Sequence, residues 1–255
     1  MKQVLGDMLV RWLLHFLCFL IIAEGDYVED RIIGGYKVAK NSVKYMASIQ
    51  GPSGHFCGGT LVNPQWVLTA AHCFYPISTL TIILGLYNLS LQEPTSQKFS
   101  VISVALHPQF NSKTLNYDAM LLKLHVKVIQ TVAVKPVIMP KQGSTFRAPL
   151  CTAYGWGVTR TNGFALSDTL QGVDIPVVNH TECNHRYRGA ITENMVCAGV
   201  ENKDTCKGDS GGPFVCNGVL QGITSWGYSC ASQYPGVYTR VANIRAWILN
   251  ILAIK

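Results

Sequence analysis

Three features of the sequence predict an all-β fold, in which two antiparallel six-stranded β-barrels are followed by a C-terminal α-helix. Short runs rich in β-branched and aromatic residues alternate with Gly, Pro and Asn turns, and they form two series of six. A stretch near residues 131–140 separates the two series. The end of the chain instead carries apolar side chains at helical spacing, at Val241, Ile244, Trp247, Ile248 and Ile251. The 255-residue chain suits one domain or two small subdomains that share a core.

The runs give expected limits for each element. The first six strands are expected at residues 45–50, 56–62, 66–70, 79–84, 100–106 and 120–124. The second six are expected at residues 150–153, 169–178, 195–198, 213–216, 219–225 and 236–240. Barrel one is therefore expected over about residues 32–135, barrel two over about 136–240 and the helix over about 241–254.

The first 25 residues have the order of a secretory signal peptide. Lys2 and Arg11 precede an apolar run at residues 12–22, and the small residues Ala23 and Gly25 follow it. The run is short for a membrane span, although an uncleaved signal anchor is the alternative. We therefore expect a secreted, extracellular protein, stored in secretory granules or released directly, with no membrane contact once the signal is removed.

The cysteine content supports secretion. Nine cysteines become eight when Cys18 leaves with the signal peptide, and an even number in a secreted chain implies disulfides. Eight cysteines allow about 105 pairings, and the residues alone do not choose among them. No metal site is expected, because the sequence has no paired Cys-x-x-Cys and no His-x-x-x-His.

The mature chain is expected to be basic. Removal of residues 1–31 takes three basic and five acidic side chains from totals of 21 and 14, which leaves 18 and 9, a net charge of +9. A positive field favours acidic partners such as sulfated glycans, but scattered basic residues are also typical of a solvated surface, and both interpretations stay open. With no Gly-rich phosphate loop and no basic–aromatic array, nucleic acid is not an expected partner.

One segment carries a candidate nucleophile. The residues DTCKGDSGGP at positions 204–213 place Ser210 in a glycine-rich turn, next to Asp209. A serine hydroxyl is a weak nucleophile, so catalysis requires a neighbouring base and N–H donors for the developing oxyanion. For this segment taken alone, a plain surface turn is the alternative.

Two further motifs supply what that serine needs. The residues LTAAHC at 68–73 contain His72, whose imidazole can accept a proton and return it near neutral pH. The residues NYDAMLLKL at 116–124 open an apolar strand with Asp118, and an acid in such a position is unusual unless it has partners. The other histidines of the mature chain are interpreted as surface or packing residues: His55, His107, His125, His180 and His185.

Together these motifs resemble the trypsin/chymotrypsin family of serine endopeptidases, and the resemblance runs from Ile32 nearly to the C terminus. It implies a chymotrypsin-like fold. It also implies that Ser210 is the nucleophile, His72 its general base and Asp118 the acid that orients His72. The backbone N–H groups of Gly208 and Ser210 would form the oxyanion hole, because glycine lets the backbone approach without a Cβ.

The resemblance also implies a substrate pocket beside this site. Asp204 would be the floor that selects Arg or Lys, while Gly227 and Gly236 would leave the walls open for a long side chain. The remaining implied pocket residues are Thr205, Lys207, Ser225 and Trp226. We expect Lys207, at the rim, to disfavour basic residues that flank the scissile bond and to tolerate acidic ones.

The short acidic segment at residues 26–31 ends in Arg31 and is expected to be an activation propeptide. Cleavage after Arg31 would free the amino group of Ile32, which in the family turns inward and pairs with the acid beside the nucleophile, here Asp209. A linker with an incidental arginine is the alternative. The peptidase domain is then expected over residues 32–255.

The same resemblance extends to the cysteines and to one loop. The implied disulfides are Cys57–Cys73, Cys151–Cys216, Cys183–Cys197 and Cys206–Cys230. No calcium site is expected in the loop around Glu93, because Leu86 and Ser96 stand where further carboxylates would be needed; calcium-dependent melting of the cleaved protein would contradict this. Independently, Asn88 and Asn179 each begin a glycosylation sequon.

The sequence therefore predicts a secreted, zymogen-derived serine endopeptidase that cuts after Arg or Lys and uses no cofactor. Its expected partners are protein or peptide substrates and protein protease inhibitors, and the chain is expected to be a monomer. A basic granule protease held on proteoglycan would have the same activity with a further partner. A catalytically silent relative that binds or signals is the alternative, and it is disfavoured because the His, Asp and Ser are all present.

Overall fold

The computed structural model describes residues 34–253, apart from residues 145–147, 160–162, 164, 229 and 231. The expected signal peptide (1–25), the activation segment (26–31) and Ile32 lie outside the described residues. Among the described residues, no helix is both long and apolar enough to cross a membrane.

Barrel one closes on itself. Its strands are β2 (Met46–Gly51), β3 (Gly54–Asn63), β4 (Trp66–Thr69), β5 (Thr81–Leu84), β6 (Gln97–Leu106) and β7 (Met120–Leu124). They follow one another around the barrel in the order β2-β3-β4-β7-β6-β5, and antiparallel pairing of β2 with β5 completes the ring. Closure leaves no free sheet edge within the ring.

Barrel two is built in the same way. Its strands are β8 (Leu150–Gly155), β9 (Gln171–Val178), β10 (Met195–Ala198), β11 (Pro213–Cys216), β12 (Val219–Trp226) and β13 (Gly236–Arg240). The order is β9-β10-β13-β12-β11-β8, and pairing of β8 with β9 closes it. The predicted all-β fold with two six-stranded antiparallel barrels is thus confirmed.

One short strand corrects the expected barrel limits. Strand β1 (Tyr36–Lys37) pairs with β9, with Tyr36 opposite Gly172. The beginning of the domain therefore adds to the sheet of barrel two, although the sequence placed it in barrel one. Two residues are too few for a periodic pattern, and only the tertiary fold reveals their partner.

The interiors of both barrels are apolar. Barrel one contains fully buried aliphatic side chains such as those of Ile49 and Leu68, and barrel two buries the rings of Phe214 and Tyr238. Full burial of a side chain of this size is worth about 1.5–3 kcal/mol. These cores fix the loops at the barrel ends, where the motif residues lie.

Two α-helices accompany the barrels in the part of the chain that the structure describes. Helix α1 (His180–Arg186) was not anticipated, because its seven residues are mostly polar; Asn179 caps it by accepting hydrogen bonds from the N–H groups of Thr181 and Glu182. Helix α2 (Val241–Ala253) matches the predicted C-terminal helix. It contacts β12 of barrel two, as expected, and its Trp247 also packs edge-on against His107 from barrel one.

The structure contains the four disulfides that the resemblance implies: Cys57–Cys73, Cys151–Cys216, Cys183–Cys197 and Cys206–Cys230. Cross-links that close loops of about 15 residues stabilise a fold by roughly 3 kcal/mol, chiefly by restricting the unfolded chain. The first holds the turn that carries His72, and the last joins two segments that line the pocket described below.

Candidate active site

His72 lies in a single helical turn, Ala71–Cys73, directly after β4. Its Nδ1 atom is 2.7 Å from Oδ2 of Asp118, and its backbone N–H donates to Oδ1 of the same carboxylate at 2.9 Å. Two contacts to one side chain fix both the position and the rotation of the imidazole. Because a carboxylate accepts, Nδ1 carries the proton and Nε2 is left as the acceptor.

Asp118 is fully buried, yet its oxygens accept hydrogen bonds from donors in both barrels. From barrel two, the Ser225 hydroxyl donates to Oδ2 at 2.5 Å, and the Thr239 hydroxyl donates to the Asp118 carbonyl oxygen at 2.9 Å. Burial of a carboxylate is costly without such partners. Thr239 was absent from the sequence prediction, because nothing local indicates a contact across 121 positions.

Ser210 lies in a tight turn of barrel two that contacts barrel one. The N–H of Gly58 in β3 donates to the Ser210 carbonyl oxygen at 2.7 Å, and the Gly211 N–H donates to the Thr224 carbonyl oxygen at 2.8 Å. Gly208 has φ of +94°, and a Cβ there would lie 2.5 Å from a Leu166 methyl carbon. The positive φ therefore favours glycine at 208, because other residues rarely adopt this conformation.

The described residues include no hydrogen bond between the Ser210 hydroxyl and the His72 imidazole. Hydrogen bonds of this kind are often long in a ligand-free enzyme and reach their productive geometry when substrate binds. The two residues are nonetheless placed around one pocket, because Ser210 and Ser225 both line it and Ser225 donates to the carboxylate that holds His72.

A pocket of about 260 Å³ opens beside Ser210. All seven residues that the sequence assigned to substrate binding line it: Asp204, Thr205, Lys207, Ser225, Trp226, Gly227 and Gly236. Asp204 is only 4% exposed. A Cβ at Gly236 would lie 2.7 Å from Oδ1 of Asp204, so glycine at that position keeps the carboxylate accessible from the pocket.

Tyr228 was missed by the sequence reasoning although it also lines the pocket. Its ring is 63% exposed and packs against the rings of Trp226 and Tyr187. Tyr187 is anchored in turn, because its buried hydroxyl donates to the Pro235 carbonyl at 2.6 Å. An aromatic residue directly after the TSWG segment was the available signal.

Comparison with known proteins bears on this arrangement. The family model described as Trypsin matches residues 32–248. The chain is 46% identical over 241 residues to a trypsin of Xenopus laevis, covering 93% of this chain and 97% of that relative. It is 43% identical over 232 residues to trypsin-3 of Salmo salar, with 89% and 95% covered, and 44% identical over 229 residues to trypsin II-P29 of Gallus gallus, with 88% and 90% covered.

The chain belongs to the trypsin family of serine proteases. Membership confirms the prediction of a trypsin-like serine endopeptidase, an enzyme class that acts on protein substrates and is bound by protease inhibitors. In this member of the trypsin family, Asp209 and His55 shape the Ser210 turn, and Glu93 lies in a neighbouring loop.

Asp209 is the fully buried acid next to Ser210. Burial raises the pKa of its carboxyl to about 7, although the N–H groups of Cys206 and Gly157, at 2.9 and 2.7 Å, act in the opposite direction. A Cβ at Gly155 or Gly157 would lie 2.0 or 2.3 Å from the carboxylate oxygens. Two glycines therefore make the space that this side chain occupies.

His55 does more than the packing role that the sequence suggested. Its Nε2 is 3.0 Å from the carbonyl oxygen of Gly208, and its Nδ1 is 2.8 Å from the Ser48 hydroxyl. A carbonyl can only accept, so Nε2 donates to Gly208 and Ser48 donates to Nδ1. The ring also packs edge-on against Trp156. Burial lowers the pKa of His55 to about 4, against the smaller effect of the Gly208 carbonyl.

In the loop around Glu93, the acid forms an ion pair with Lys40. The Glu93 carboxylate is 2.7 Å from Nζ of Lys40 and accepts the N–H groups of Tyr87 and Asn88. Burial alone would raise the pKa of Glu93, but the Lys40 ammonium and these N–H groups outweigh it and lower the pKa. Leu86 is buried beside this loop. The expectation of no calcium site stays a prediction, and the ion pair gives it a physical reason.

The remaining predicted positions lie on the surface. Asn179 is exposed at the start of α1, whereas Asn88 is half-buried and its Oδ1 accepts the Ser90 N–H at 2.8 Å. Glycosylation at either stays a prediction.

Among the described residues, the one group with metal-ligand spacing is Cys57, His72 and Cys73, and its two sulfurs are joined in a disulfide. It therefore offers no thiolate ligand.

The low pKa of His55 predicts a specific pH dependence of stability. Between pH 6.5 and about 4, the unfolded chain binds a proton at His55 that the folded protein does not, so this residue's contribution to stability is present above pH 6.5 and is lost as the pH falls towards 4. In a Ser210→Ala background, His55→Phe should reduce the drop in Tm between pH 7 and pH 4.5 by at least about 3 °C.

The control is His185→Phe, because the His185 side chain is exposed. That variant should keep the parental drop in Tm between the two pH values. If His55→Phe melts with the same pH dependence as the parent, the buried neutral imidazole is not the form that the folded protein holds.

Proposed function

We propose that the chain is a secreted protease precursor which, once cut after Arg31, hydrolyses peptide bonds that follow Arg or Lys. The observation that carries the specificity is the buried carboxylate of Asp204 in the pocket beside Ser210. A long basic side chain fits a pocket of about 260 Å³ and supplies the positive charge that Asp204 attracts. The Arg–carboxylate pair can form two parallel hydrogen bonds in such a setting.

Ser210 is the proposed nucleophile. Nε2 of His72 takes the proton from its hydroxyl as the oxygen attacks the substrate carbonyl carbon. Asp118 keeps the imidazole in the required tautomer, through its contact with Nδ1 at 2.7 Å, and stabilises the imidazolium that forms. The three side chains therefore act as one unit, with the base supplied by barrel one and the nucleophile by barrel two.

The developing negative charge is proposed to fall on the N–H groups of Gly208 and Ser210. The positive φ of Gly208 and the hydrogen bond from His55 to its carbonyl support this role, because both fix the orientation of the peptide groups at the turn. Loss of one oxyanion donor typically costs about 2.7–4 kcal/mol of transition-state stabilisation. Collapse of the intermediate passes the proton from His72 to the leaving amine, and water then hydrolyses the acyl-enzyme by the same route.

Activation is proposed to depend on Asp209. A carboxyl with a pKa of about 7 lacks sufficient compensation for its charge, and a nearby ammonium would lower that pKa and favour the ionised form. The new amino terminus at Ile32, released by cleavage after Arg31, is the proposed ammonium. The linkage works in both directions, so an ordered charge pair at Asp209 stabilises the turn that contains Gly208 and Ser210.

Secretion is supported by the signal-like leader and by the four disulfides, since such cross-links persist in oxidising compartments. In that setting, protein protease inhibitors that present a basic side chain to the Asp204 pocket are the proposed partners. The presence of His72, Asp118 and Ser210 together argues against a catalytically silent homologue.

The specificity is tested by cutting the full chain after Arg31 and assaying matched peptides with Arg, Lys, Phe or Leu before the scissile bond. We expect kcat/KM for Arg or Lys to exceed that for Phe by at least about 100-fold, because a basic side chain can pair with the Asp204 carboxylate and a Phe ring cannot. Ser210→Ala should remove the activity, and Asp204→Ser should remove the preference for basic residues. A preference for Phe over Arg in the parent would show that Asp204 does not set the specificity.

The same peptides, with acidic, neutral or basic residues flanking the scissile bond, test Lys207. This side chain is exposed at the pocket rim, so its charge is screened by solvent and its influence is modest. The Lys207→Gln substitution removes this charge and should raise kcat/KM for peptides with basic flanks by about two- to fivefold. An unchanged ranking of the flanks in Lys207→Gln would remove Lys207 from the specificity account.

A further inference from the structure

Charge is divided unequally between the two halves of the molecule. Residues 34–144 contain nine lysines but only two acidic residues, Glu93 and Asp118. Both acids are buried, and each already faces a partner, Lys40 at 2.7 Å and His72 at 2.7 Å respectively. No residue from 34 to 144 therefore presents an exposed carboxylate. The exposed or half-exposed acids of the described residues all follow residue 144: Asp168, Asp174, Glu182, Glu193 and Glu201.

Several basic side chains of barrel one meet on the outer face of β6 and the segment that continues β7. Val101 pairs with Leu124, and the next position along is joined by the N–H of His125 donating to the Ser100 carbonyl at 3.1 Å. Further along the same two segments, the Gln97 side chain exchanges two hydrogen bonds with the Ile129 backbone, at 2.7 and 3.0 Å.

Lys98 and Lys127 both lie between these two contacts, on adjacent segments of the chain. Like charges on neighbouring segments repel each other. Both side chains are exposed, and none of the described residues forms an ion pair with either. Lys123 follows on the same segment, with its ammonium 5.6 Å from the centre of the Trp66 ring. We call Lys98, Lys123 and Lys127, together with His125, the β6–β7 basic face.

The basic face is separate from the pocket in the fold. The described residues that line the pocket lie between 204 and 236, all in barrel two, whereas the basic face belongs to barrel one. A polymer bound there can therefore leave the substrate pocket unoccupied. A second lysine pair, Lys44 and Lys135, lies on the same barrel, where the Lys135 N–H donates to the Lys44 carbonyl at 3.0 Å.

We propose that the β6–β7 basic face binds a sulfated glycosaminoglycan chain and so tethers the protease without blocking its pocket. A linear polyanion relieves the repulsion between Lys98 and Lys127, and its binding releases counterions, which makes the affinity dependent on salt. Lysine ammoniums act as mobile point charges, which suits sulfate groups at variable spacing better than one fixed planar ligand. This inference rests on the proposed secretion, which brings the chain into contact with such glycans.

The test compares two double variants of the full chain, both in a Ser210→Ala background to prevent self-digestion. Lys98→Gln/Lys127→Gln removes two charges from the basic face, and Arg188→Gln/Lys203→Gln removes two exposed charges from barrel two. Heparin is the probe. We expect the parent and the second variant to be retained at about 0.15 M salt and the first variant to flow through or elute earlier. The first variant should also show a slope of log Kd against log salt that is lower by roughly two.

Equal weakening in both double variants would overturn the proposal, because net charge alone would then explain retention. Retention on desulfated heparin as strong as on heparin would overturn it as well, and so would stronger binding to double-stranded DNA than to heparin at the same salt. Equal melting temperatures of the variants exclude misfolding as a cause. Peptidase activity is measured separately in chains that keep Ser210. Loss of activity with retention intact counts against the proposed catalytic function alone, and loss of retention with activity intact counts against the basic face alone.

Discussion

The buried carboxylate of Asp209 is the constraint on which the shape of the serine turn depends. It accepts N–H groups from Cys206 in its own loop and from Gly157 in the loop after β8, so it joins two segments of barrel two at one point. Side chains at positions 155 and 157 would displace it, because a Cβ at either glycine would overlap its oxygens. Ser210 and the pocket-lining Cys206 therefore take their positions from an acid that no solvent reaches.

The second constraint is the close approach of the two barrels. A Cβ at Gly58 in β3 would lie 2.9 Å from the Cα of Gly212, so β3 and the residue just before β11 meet backbone to backbone. Across that contact, Gly58 donates to the Ser210 carbonyl, while Ser225 and Thr239 of barrel two donate to Asp118 of barrel one. Each barrel thus holds half of the candidate site, and hydrogen bonds that cross between them set the relative position of the halves.

Local patterns were enough to predict most of the elements, whereas the residues that line the pocket were predicted from the family resemblance. Strands such as Met120–Leu124 and Met195–Ala198 were placed correctly because each is a short β-rich run between turns. Features that depend on distant partners were not predictable. His55 looks ordinary in sequence, and its contact with Gly208 spans 153 positions. Lys40 likewise gave no sign that it would meet Glu93. These are matters of tertiary packing, which residue periodicity does not encode.

The most direct test of this account is a stoichiometric acyl-enzyme burst with a p-nitrophenyl ester of guanidinobenzoic acid. We propose that the charge of Asp209 and the freed amino group of Ile32 together complete the site. We therefore expect a burst of about one nitrophenol per chain after cleavage at Arg31, and almost none from the uncut chain or from cleaved Asp209→Asn. A full burst from the uncut chain, or from cleaved Asp209→Asn, would contradict it.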